Sequence, residues 1–287
     1  MATVNLAEKY ASQVDERFKL GSLTAGLINN NFDWIGVKTV KVFSRNLATL
    51  GDYTSTGSNR YGTPDELGNN TQEMSISQDK AFTYTIDAAN EQDTNGTMQA
   101  AATLAENIDQ VIIPAMDAYR LSKIVAGAPT KGSVTGKTHV ITEDITSANA
   151  YAEFLAVQEI LNDDKAPIGG RIAVIGSKYY SKIKLDPNFT KSGDLATQIA
   201  INGQVGAIDG VPTVLVPSSY LPKDVDFVIT NAIACPSPVK LQEFKIHYDA
   251  PGISGALVEA RVRYDCFVLD KKADAIGVHK AKTTSEV

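Results

Sequence analysis

The stretch Val258–Lys280, VEARVRYDCFVLDKKADAIGVHK, decides the fold of this chain. It contains a long alternating strand, a charged turn and a short apolar strand. Because successive side chains of a strand point to opposite faces, one face of the long strand is apolar and the other carries charges of both signs. This pattern predicts a half-buried strand whose charged face is suited to contacts with a neighbour rather than with a substrate. The apolar face comprises Val258, Ala260, Val262, Tyr264, Cys266 and Val268, and the charged face Glu259, Arg261, Arg263 and Asp265.

The composition is that of a folded protein and argues against recognition of nucleic acid. The chain has 287 residues, of which 43% are hydrophobic and 21% charged, and its formal net charge is −6. These fractions are ordinary for a globular protein with a large core. No Lys/Arg-rich patch is present that could neutralise a row of phosphates. An acidic protein that only encloses DNA remains compatible with this composition.

Cysteine use and the N-terminal segment predict synthesis in a reducing compartment. Cys235 and Cys266 are far apart in the sequence and form no CxxC unit. The first residues do not have the cationic and then apolar pattern of a signal peptide. No run approaches the ~18 apolar residues that a membrane-spanning helix needs. We therefore expect cytoplasmic synthesis, reduced thiols and no membrane partner.

Residues 1–90 predict two appendages rather than a compact unit. Residues 1–33 are polar and partly helical in pattern, which predicts an N-terminal arm. In residues 34–90, the strand-like runs Trp34–Phe43 and Met74–Ile86 flank a polar stretch rich in Gly, Asn, Ser and Thr. These runs predict an extended β-hairpin. Because a two-stranded hairpin is marginally stable alone in water, we expect it to lie on a neighbouring subunit.

Residues 96–126 predict the longest helix of the chain. Apolar residues recur there at intervals of three and four, and at 1.5 Å per residue the helix would extend about 45 Å. Pro114 predicts a kink near Gln110–Pro114, and Gly127 predicts the end of the helix. The predicted apolar stripe consists of Ala101, Ala105, Ile108, Ile112, Ala115 and Tyr119.

The central part of the chain, residues 146–236, predicts a compact α/β subdomain. Helical and strand-like patterns alternate in it, and glycine-rich connectors separate them. It is inserted between the long helix and the C-terminal strands. The predicted helices are Ser147–Asn162 and Ser177–Ile183, and the predicted strands are Arg171–Ile175, Thr213–Val216 and Phe227–Ile233.

Two loops approach known binding motifs without the residues that the chemistry needs. The run Gly132–Thr138 has three residues between its first glycine and Gly136, whereas a phosphate-binding loop has four. It also follows a helix and precedes a strand-like run, which is the reverse of a phosphate-binding loop, so we predict a turn. The run Asp186–Ser192 has the oxygen spacing of a calcium loop, but Lys191 replaces the glycine and Thr197 the closing glutamate. We predict a surface turn there.

The other titratable residues form no catalytic pattern. His139, His247 and His279 lack metal-ligand spacing and a nucleophile motif, so we interpret them as strand or surface histidines. We interpret the run Asp163–Lys165 as a solvated helix end. No pair of carboxylates stands in an apolar setting that would raise one pKa. We therefore predict no catalytic residues, no metal site and no cofactor.

Four parts of the chain resemble the major capsid proteins of tailed bacteriophages, which have the Hong Kong 97-type fold. The run Ile112–Arg120 resembles the spine helix of that family, and Gly203–Pro212 resembles its axial domain. The run Arg263–His279 resembles its closing peripheral-domain strands, and the ribbon over residues 37–86 its extended loop. The resemblance implies an α+β fold with an N-terminal arm, an extended β-hairpin loop, a long spine helix, a peripheral domain and an inserted α/β axial domain.

The resemblance also implies domain boundaries. The parts are the arm at 1–33, the extended loop region at 34–90, the peripheral domain at 91–145 with the spine helix at 96–126, the axial domain at 146–236, and the C-terminal peripheral strands and tail at 237–287.

A function follows from the same resemblance. Many copies would assemble as hexamers and pentamers into an icosahedral head around double-stranded DNA, with no sequence-specific binding and no enzymatic activity. The implied partners are further copies of the chain, a portal, and separate scaffolding and decoration proteins. The implied location is the virion capsid, assembled in the cytoplasm of the bacterial host.

Charged residues of the extended loop are our candidates for contacts between subunits. We expect the acidic residues of the loop to pair with basic residues of a neighbouring copy, because such ion pairs repeat at every contact although each one is weak. The candidates on the loop are Arg60, Asp65, Glu66 and Glu73, and those near the C-terminus are Arg261, Arg263, Lys271 and Lys272.

Two features found in some members of the family are not expected here. Some members crosslink their shells by an isopeptide bond from a lysine on the extended loop, but Asn46–Asp79 contains no lysine. We therefore expect no covalent crosslink from this loop. Other members carry a fused scaffolding domain ahead of the ribbon, and the segment before Trp34 is too short for one. We expect a separate scaffolding protein or none.

Two alternative functions stay open at this point. An encapsulin, the shell protein of a bacterial nanocompartment, resembles the same fold and encloses cargo proteins instead of DNA. A soluble α/β enzyme with an unrecognised site belongs to a different class. An enzyme should sediment as a small oligomer, whereas a capsid protein should form megadalton particles or capsomers.

Overall fold

The computed structural model describes residues 22–29, 39–64, 66–94, 99–190, 206–248 and 250–282. Helices and strands alternate along it, and most are short. The strands are β1 (Thr39–Arg45), β2 (Asn69–Ser75), β3 (Gln78–Asp87), β4 (Val140–Thr142), β5 (Arg171–Gly176), β6 (Ala207–Ile208), β7 (Val211–Val216), β8 (Val225–Asn231), β9 (Val239–His247), β10 (Gly255–Tyr264) and β11 (Gly277–Lys280). The α-helices are α1 (Ala88–Asp93), α2 (Ala100–Asn107), α3 (Ile113–Ala126), α4 (Ala150–Asp163), α5 (Ser177–Leu185) and α6 (Pro187–Thr190).

The strands form three separate sheets. Strands β1 and β2 pair antiparallel as a two-stranded hairpin, from Thr39↔Ser75 to Arg45↔Asn69. Strands β3, β10 and β9 form an antiparallel sheet with β10 in the centre. The third sheet has six strands in the order β4-β11-β8-β5-β7-β6 and mixes parallel and antiparallel pairs. The first sheet is the predicted extended hairpin, and the other two form the body of the chain.

The apolar face of β10 is buried as its alternation predicts. Val258, Ala260, Val262 and Tyr264 are all buried and face the long helix, where Leu104 of α2 and Met116 of α3 cover them. The strand ends at Tyr264, two residues before the last buried residue of the predicted stripe, Cys266. Because β10 pairs with β3 on one side and β9 on the other, both of its edges are used within the chain.

The prediction of one strand over Met74–Ile86 is wrong. The run divides at Ile76–Ser77, so that β2 belongs to the hairpin and β3 to the three-stranded sheet. Met74 and Ile76 pack in one apolar cluster and Ile86 in another, beside α2. The even-numbered residues face inward on both sides of the break, so the alternation continues unchanged and does not reveal the change of partner strand.

The predicted long helix is interrupted where its proline suggests. A π-helical turn at Ile108–Ile112 separates α2 from α3, and Pro114 lies in the first turn of α3. Such turns insert one extra residue into a helix. Because one residue corresponds to about 100° around the axis, the buried face shifts there.

The predicted apolar stripe of the helix is therefore only partly correct. Ile108, Ile112 and Tyr119 pack against the sheet, whereas the three predicted alanines are exposed. Exposure of an alanine leaves little apolar area in water. The exposed alanines are Ala101, Ala105 and Ala115, and the buried apolar residues of the helix are Ala100, Leu104, Met116, Leu121, Ile124 and Val125. We call the whole unit, residues 100–126, the spine helix.

The six-stranded sheet contains the largest core of the chain. Phe154 of α4 and Tyr179 of α5 pack against Phe227 of β8, with ring centroids 5.5 and 4.6 Å away. All three rings are fully buried. The predicted helices and strands of residues 146–236 are present with ends that differ by a few residues. Strands β4 and β11, which lie outside that range, complete the sheet.

Candidate assembly interface

The outer part of the hairpin exposes large apolar side chains. We call residues 46–64 and 66–68 the hairpin tip. Leu47, Leu50 and Tyr61 are 89%, 103% and 92% exposed, which is close to the exposure of an isolated side chain. Contiguous exposed apolar surface marks a place where another molecule binds. Phe43, Tyr53 and Leu67 are further exposed large apolar residues of the hairpin.

Few interactions among the described residues order the hairpin tip. The amide of Asn46 donates to the Gly68 carbonyl at 3.0 Å, and the amide of Thr54 donates to the Arg60 carbonyl at 3.0 Å. The rings of Tyr53 and Tyr61 meet edge-on at 5.0 Å. None of these contacts covers the leucine side chains, so the tip presents them to its surroundings.

The loop candidates that the structure describes, Arg60, Glu66 and Glu73, lie on the hairpin, and no recorded hydrogen bond or ion pair joins them to each other. Arg60 Nε donates to the Gly57 carbonyl at 3.2 Å within its own turn. Glu73 lies 3.7 Å from Lys41 on the opposite strand, and both side chains are exposed. Glu66 is exposed. Asp65 lies outside the described residues.

Two of the candidates near the C-terminus are engaged within the chain. Arg261 on β10 holds Asp79 of β3 by two hydrogen bonds, Nε to Oδ1 at 2.9 Å and Nη2 to Oδ2 at 2.7 Å. Arg263 Nε lies 3.6 Å from the same carboxylate. The hydrogen bond from Arg261 lowers the pKa of Asp79, and the same bond raises the pKa of Arg261. The charge ladder of β10 therefore pairs across the chain's own sheet.

A second group of contacts attaches the base of the hairpin to the segment after β10. Lys271 Nζ donates to the Arg45 carbonyl at 3.0 Å. Gln72 Nε2 donates to the Val268 carbonyl at 2.7 Å, and the Asp270 amide donates to Gln72 Oε1 at 3.1 Å. Lys271 thus has a partner within the chain. Lys272, the remaining candidate, is exposed beside it.

Apolar side chains cover the other side of the hairpin base. Met74 and Ile76 of the hairpin and Leu269 of the body are buried and form one cluster, with Phe267 packed against it. We call this attachment, from Arg45 and Gln72 to Ile76, the hairpin base. Its apolar side chains Met74 and Ile76 are buried, in contrast to those of the tip.

Asp265 joins the hairpin base to the spine helix. Its Oδ2 accepts hydrogen bonds from the Ser77 amide at 2.7 Å and from Ser77 Oγ at 2.8 Å. Its Oδ1 accepts from Tyr119 Oη at 2.8 Å and from the Cys266 amide at 2.8 Å. The side chain is buried, although the alternation of β10 places it on the charged, exposed face. The physical reason is the end of the strand at Tyr264, which alternation alone does not reveal.

Asp117 anchors the segment before the hairpin to the same helix. Its carboxylate accepts from Thr24 Oγ1 at 2.6 Å, Ser22 Oγ at 2.9 Å and the Leu23 amide at 2.8 Å. It is buried beside Arg120, at 3.5 Å. The apolar stripe predicted for this part of the helix includes neither of these two buried charged residues.

Hydrogen bonds connect the two aspartates. Arg120 Nη1 donates to Thr24 Oγ1 at 3.2 Å, and Arg120 Nε donates to Ser237 Oγ at 3.0 Å. Ser237 Oγ in turn donates to the Asp265 carbonyl at 2.8 Å. Buried polar groups are normally satisfied in this way. The result is one buried network that extends from the N-terminal segment to the hairpin base.

The loop that resembles a phosphate-binding motif is a turn, as predicted, and its amides bind a carboxylate of the chain. Asp164 accepts from the Val134 amide at 2.9 Å, from the Thr135 amide at 2.7 Å and from Thr135 Oγ1 at 2.9 Å. His139 Nε2 lies 2.7 Å from Asp164 Oδ2. Burial alone would raise the pKa of Asp164, but these hydrogen bonds outweigh it and hold the pKa well below its usual value.

Two predictions, a solvated helix end at Asp163–Lys165 and a surface turn at Asp186–Ser192, are wrong for their aspartates, and the second run contains the short helix α6. Asp164 is buried, not solvated, because it caps the turn after α3. Asp186 is also buried and accepts from the Tyr151 amide at 2.9 Å and the Asn188 amide at 2.8 Å. Lys191 and Thr197 of the calcium-like run lie outside the described residues.

His279 and the two cysteines of the body are buried. His279 of β11 lies 3.3 Å from Asp226 and 3.5 Å from Glu153. Cys235 and Cys266 are free thiols, and burial raises their pKa values to about 11 and about 12. Among the described residues, no three ligand-type side chains meet as a metal site, and no helix is long and apolar enough to span a bilayer.

The fold is similar to that of solved phage structures. The capsid structure of cyanophage P-SCSP1u matches with a TM-score of 0.75 at 14% identity, over 97% of this chain and 93% of that chain. The mature capsid of bacteriophage PhiM1 matches with a TM-score of 0.72 at 13% identity, over 96% and 92%. A structure from Mycobacterium phage Che8 matches with a TM-score of 0.67 at 15% identity, over 97% and 98%. The predicted α+β capsid fold is confirmed by these likenesses, which concern the fold alone.

No protein-family model matches the chain, and no curated protein matches its sequence.

Proposed function

We propose that this chain is the major capsid protein of a tailed double-stranded DNA bacteriophage. The observation that carries the proposal is a hairpin tip with almost fully exposed leucines, on a chain that has the fold of phage capsid proteins. Burying a leucine side chain is worth about 1.5–3 kcal/mol. A second copy of the chain that covers the tip would gain this free energy at every contact.

Assembly then follows from the asymmetry of the contact. The tip of one copy lies on the body of the next, so the two surfaces differ, and a head-to-tail contact of this kind produces rings when the rotation closes. Hexamers and pentamers are such rings, and together they close an icosahedral shell. We further propose that Glu66, Asp65 and Arg60 lie at this contact, with Lys272 as a basic partner on the neighbouring body.

The proposed capsid protein has four domains and several partners. The arm is residues 1–33, the extended loop 34–90, the peripheral domain 91–145 and 237–287, and the axial domain 146–236. A portal is the proposed further partner, any scaffolding or decoration proteins are separate chains, and the shell encloses DNA without reading its sequence. The role is structural, and the proposed location is the virion, assembled in the host cytoplasm.

Sedimentation and negative-stain electron microscopy of the purified protein test the proposal. We expect megadalton particles, or hexamers and pentamers that assemble into shells. A compact oligomer of a few copies that never forms shells would contradict the proposal and favour the enzyme alternative. Nucleic acid inside native particles supports a phage head, whereas cargo protein without DNA supports an encapsulin.

Denaturing gels test the expectation about crosslinks on the same particles. Because residues 46–79 contain no lysine, we expect boiled particles to run as a single monomer band. A ladder of covalent multimers would contradict this part of the proposal.

A further inference from the structure

We propose that Asp265 is the positioning residue of the hairpin, because its carboxylate fixes the direction in which the hairpin leaves the body. The inference rests on the proposed function only where it concerns the neighbouring copy that the hairpin contacts. The hydrogen bonds that support the inference lie within one chain. We call Ile76–Ser77, the two residues between β2 and β3, the hairpin joint.

The backbone changes sheets at the hairpin joint. The ladder between β1 and β2 ends at the pair Thr39↔Ser75, and the ladder between β3 and β10 begins at Gln78↔Tyr264. A strand inside a sheet has its direction fixed by the ladder bonds on either side. Between Ser75 and Gln78 this constraint is replaced by the hydrogen bond from the Ser77 amide to Asp265 Oδ2, at 2.7 Å.

The Asp265 carboxylate receives hydrogen bonds from three parts of the chain. Ser77 of the joint supplies two of them, Tyr119 of the spine helix supplies one, and the Cys266 amide supplies the fourth. Bonds to an ionised acceptor are shorter and roughly twice as strong as neutral ones. Because the acceptor itself is buried, the joint is held against both the sheet and the spine helix.

The apolar contacts of the hairpin base cannot fix this direction by themselves. Met74, Ile76 and Leu269 bury apolar surface, and that driving force is not directional. Hydrogen bonds weaken steeply when their angle changes. The apolar cluster therefore keeps the base attached, and directional hydrogen bonds set its angle. The bonds of Asp265 act at the joint itself, whereas those of Gln72 and Lys271 act further along the hairpin.

Hydrogen–deuterium exchange of Asp265→Asn measures this role directly. Asparagine leaves one neutral acceptor oxygen for four donors and places an NH2 group at the other position, so the joint loses its charged acceptor. We expect the backbone amides of Ser77 and Gln78 to exchange about 10- to 100-fold faster. This factor corresponds to the free energy lost with one hydrogen bond to a charged group. Asp117→Asn is the matched control, because Asp117 is an equally buried aspartate of the same network that holds residues 22–24 instead. It should leave exchange at the joint within about twofold of the wild type, since Asp117 accepts hydrogen bonds from residues 22–24 and none is recorded from Ser77 or Gln78.

Electron microscopy of shells separates a change in the direction of the hairpin from a general loss of stability. Asp265→Asn should broaden the distribution of particle diameters, and Asp117→Asn should not, even where both lower the melting temperature by a similar amount. Unchanged exchange at the joint in Asp265→Asn would overturn the inference, and so would equal acceleration in both variants. If the wild type forms no shells, the proposed function fails, and the exchange comparison still decides the role of Asp265.

Milder variants keep the test decisive if Asp265→Asn does not fold. Tyr119→Phe removes one donor from Oδ1, and Ser77→Ala removes one from Oδ2, while both keep the backbone bond. The double variant should accelerate exchange at the joint about 3- to 10-fold. No acceleration in the double variant would count against the role of Asp265.

Discussion

The base and the tip of the hairpin differ in how far their side chains are buried and hydrogen-bonded within the chain. At the base, apolar side chains are buried and backbone and side-chain polar groups have partners in the body. At the tip, Leu47 and Leu50 are almost fully exposed, and a few backbone bonds and one ring contact hold the loop. The base is complete within one chain, whereas the tip leaves apolar surface uncovered. This difference supports the tip, rather than the charges of the hairpin, as the main part of the proposed assembly contact.

The charged candidates add to this contrast. Arg261, Arg263 and Lys271 have partners in their own chain, which suits residues that hold the body and the hairpin base together. Ion pairs at an exposed sheet surface contribute little free energy. Burial of the exposed leucines of the tip would contribute more free energy than these pairs do, so we expect apolar contact at the tip to contribute most to the proposed assembly.

The largest expected effect comes from comparing a buried leucine of the body with an exposed leucine of the tip. Leu161 of α4 is fully buried, and Leu161→Ala should lower the free energy of unfolding of the unassembled chain by about 2–5 kcal/mol. Leu50→Ala should change it by at most about 0.5 kcal/mol, because the side chain is exposed. Leu50→Ala should nevertheless reduce the yield of shells strongly, since each contact loses the burial of one leucine.

Urea unfolding and particle yield by sedimentation check both halves of this prediction. Tyr53→Phe is a control at the tip, because it keeps the ring contact with Tyr61 and should leave both quantities unchanged. If Leu50→Ala assembles like the wild type, the exposed apolar tip is not the assembly contact.

A smaller effect is expected at the turn that Asp164 holds. Asp164→Asn should lower the free energy of unfolding by about 1–3 kcal/mol at neutral pH, because a buried acceptor of four bonds is replaced in part by a donor. The shell contact should be unaffected, since the Asp164 side chain is buried and faces its own chain.

The pH dependence of that difference identifies the carboxylate. The folded pKa of Asp164 is lowered below the unfolded value of about 3.9. Its stabilising contribution is therefore complete above that value and is lost as the pH falls toward the folded pKa. The stability difference between wild type and Asp164→Asn should stay constant from neutral pH to about pH 5 and shrink below about pH 4. A difference that persists unchanged in acid would show that the charge of Asp164 is not responsible.

Regular features of the body could be predicted from the sequence because their residues carry a local period. The alternation of Val258–Tyr264 and the apolar pattern of α4 depend on neighbours a few positions away. The aspartates of the network could not be predicted in the same way. Asp265 binds Ser77 and Tyr119, 188 and 146 positions away, and nothing near Asp265 in the sequence indicates those partners. The change of sheet at Ile76–Ser77 is hidden because the alternation passes through it without a change of phase.

The smallest expected effect concerns the pair Asp79–Arg261 on the exposed face of the sheet. If the pair acts within the chain, Arg261→Gln and Asp79→Asn should each lower the unfolding midpoint slightly. Asp79→Asn should lower it somewhat more, because Arg263 also loses its ion pair, and the double variant should match Asp79→Asn. The loss should fade between about 0.1 and 1 M salt, where the screening length falls from about 10 to 3 Å. Shell yield should be the same in all three variants. If Arg261→Gln lowers the yield while Asp79→Asn does not, Arg261 contacts a neighbouring copy as the sequence suggested, and the assembly contact extends from the tip onto the sheet.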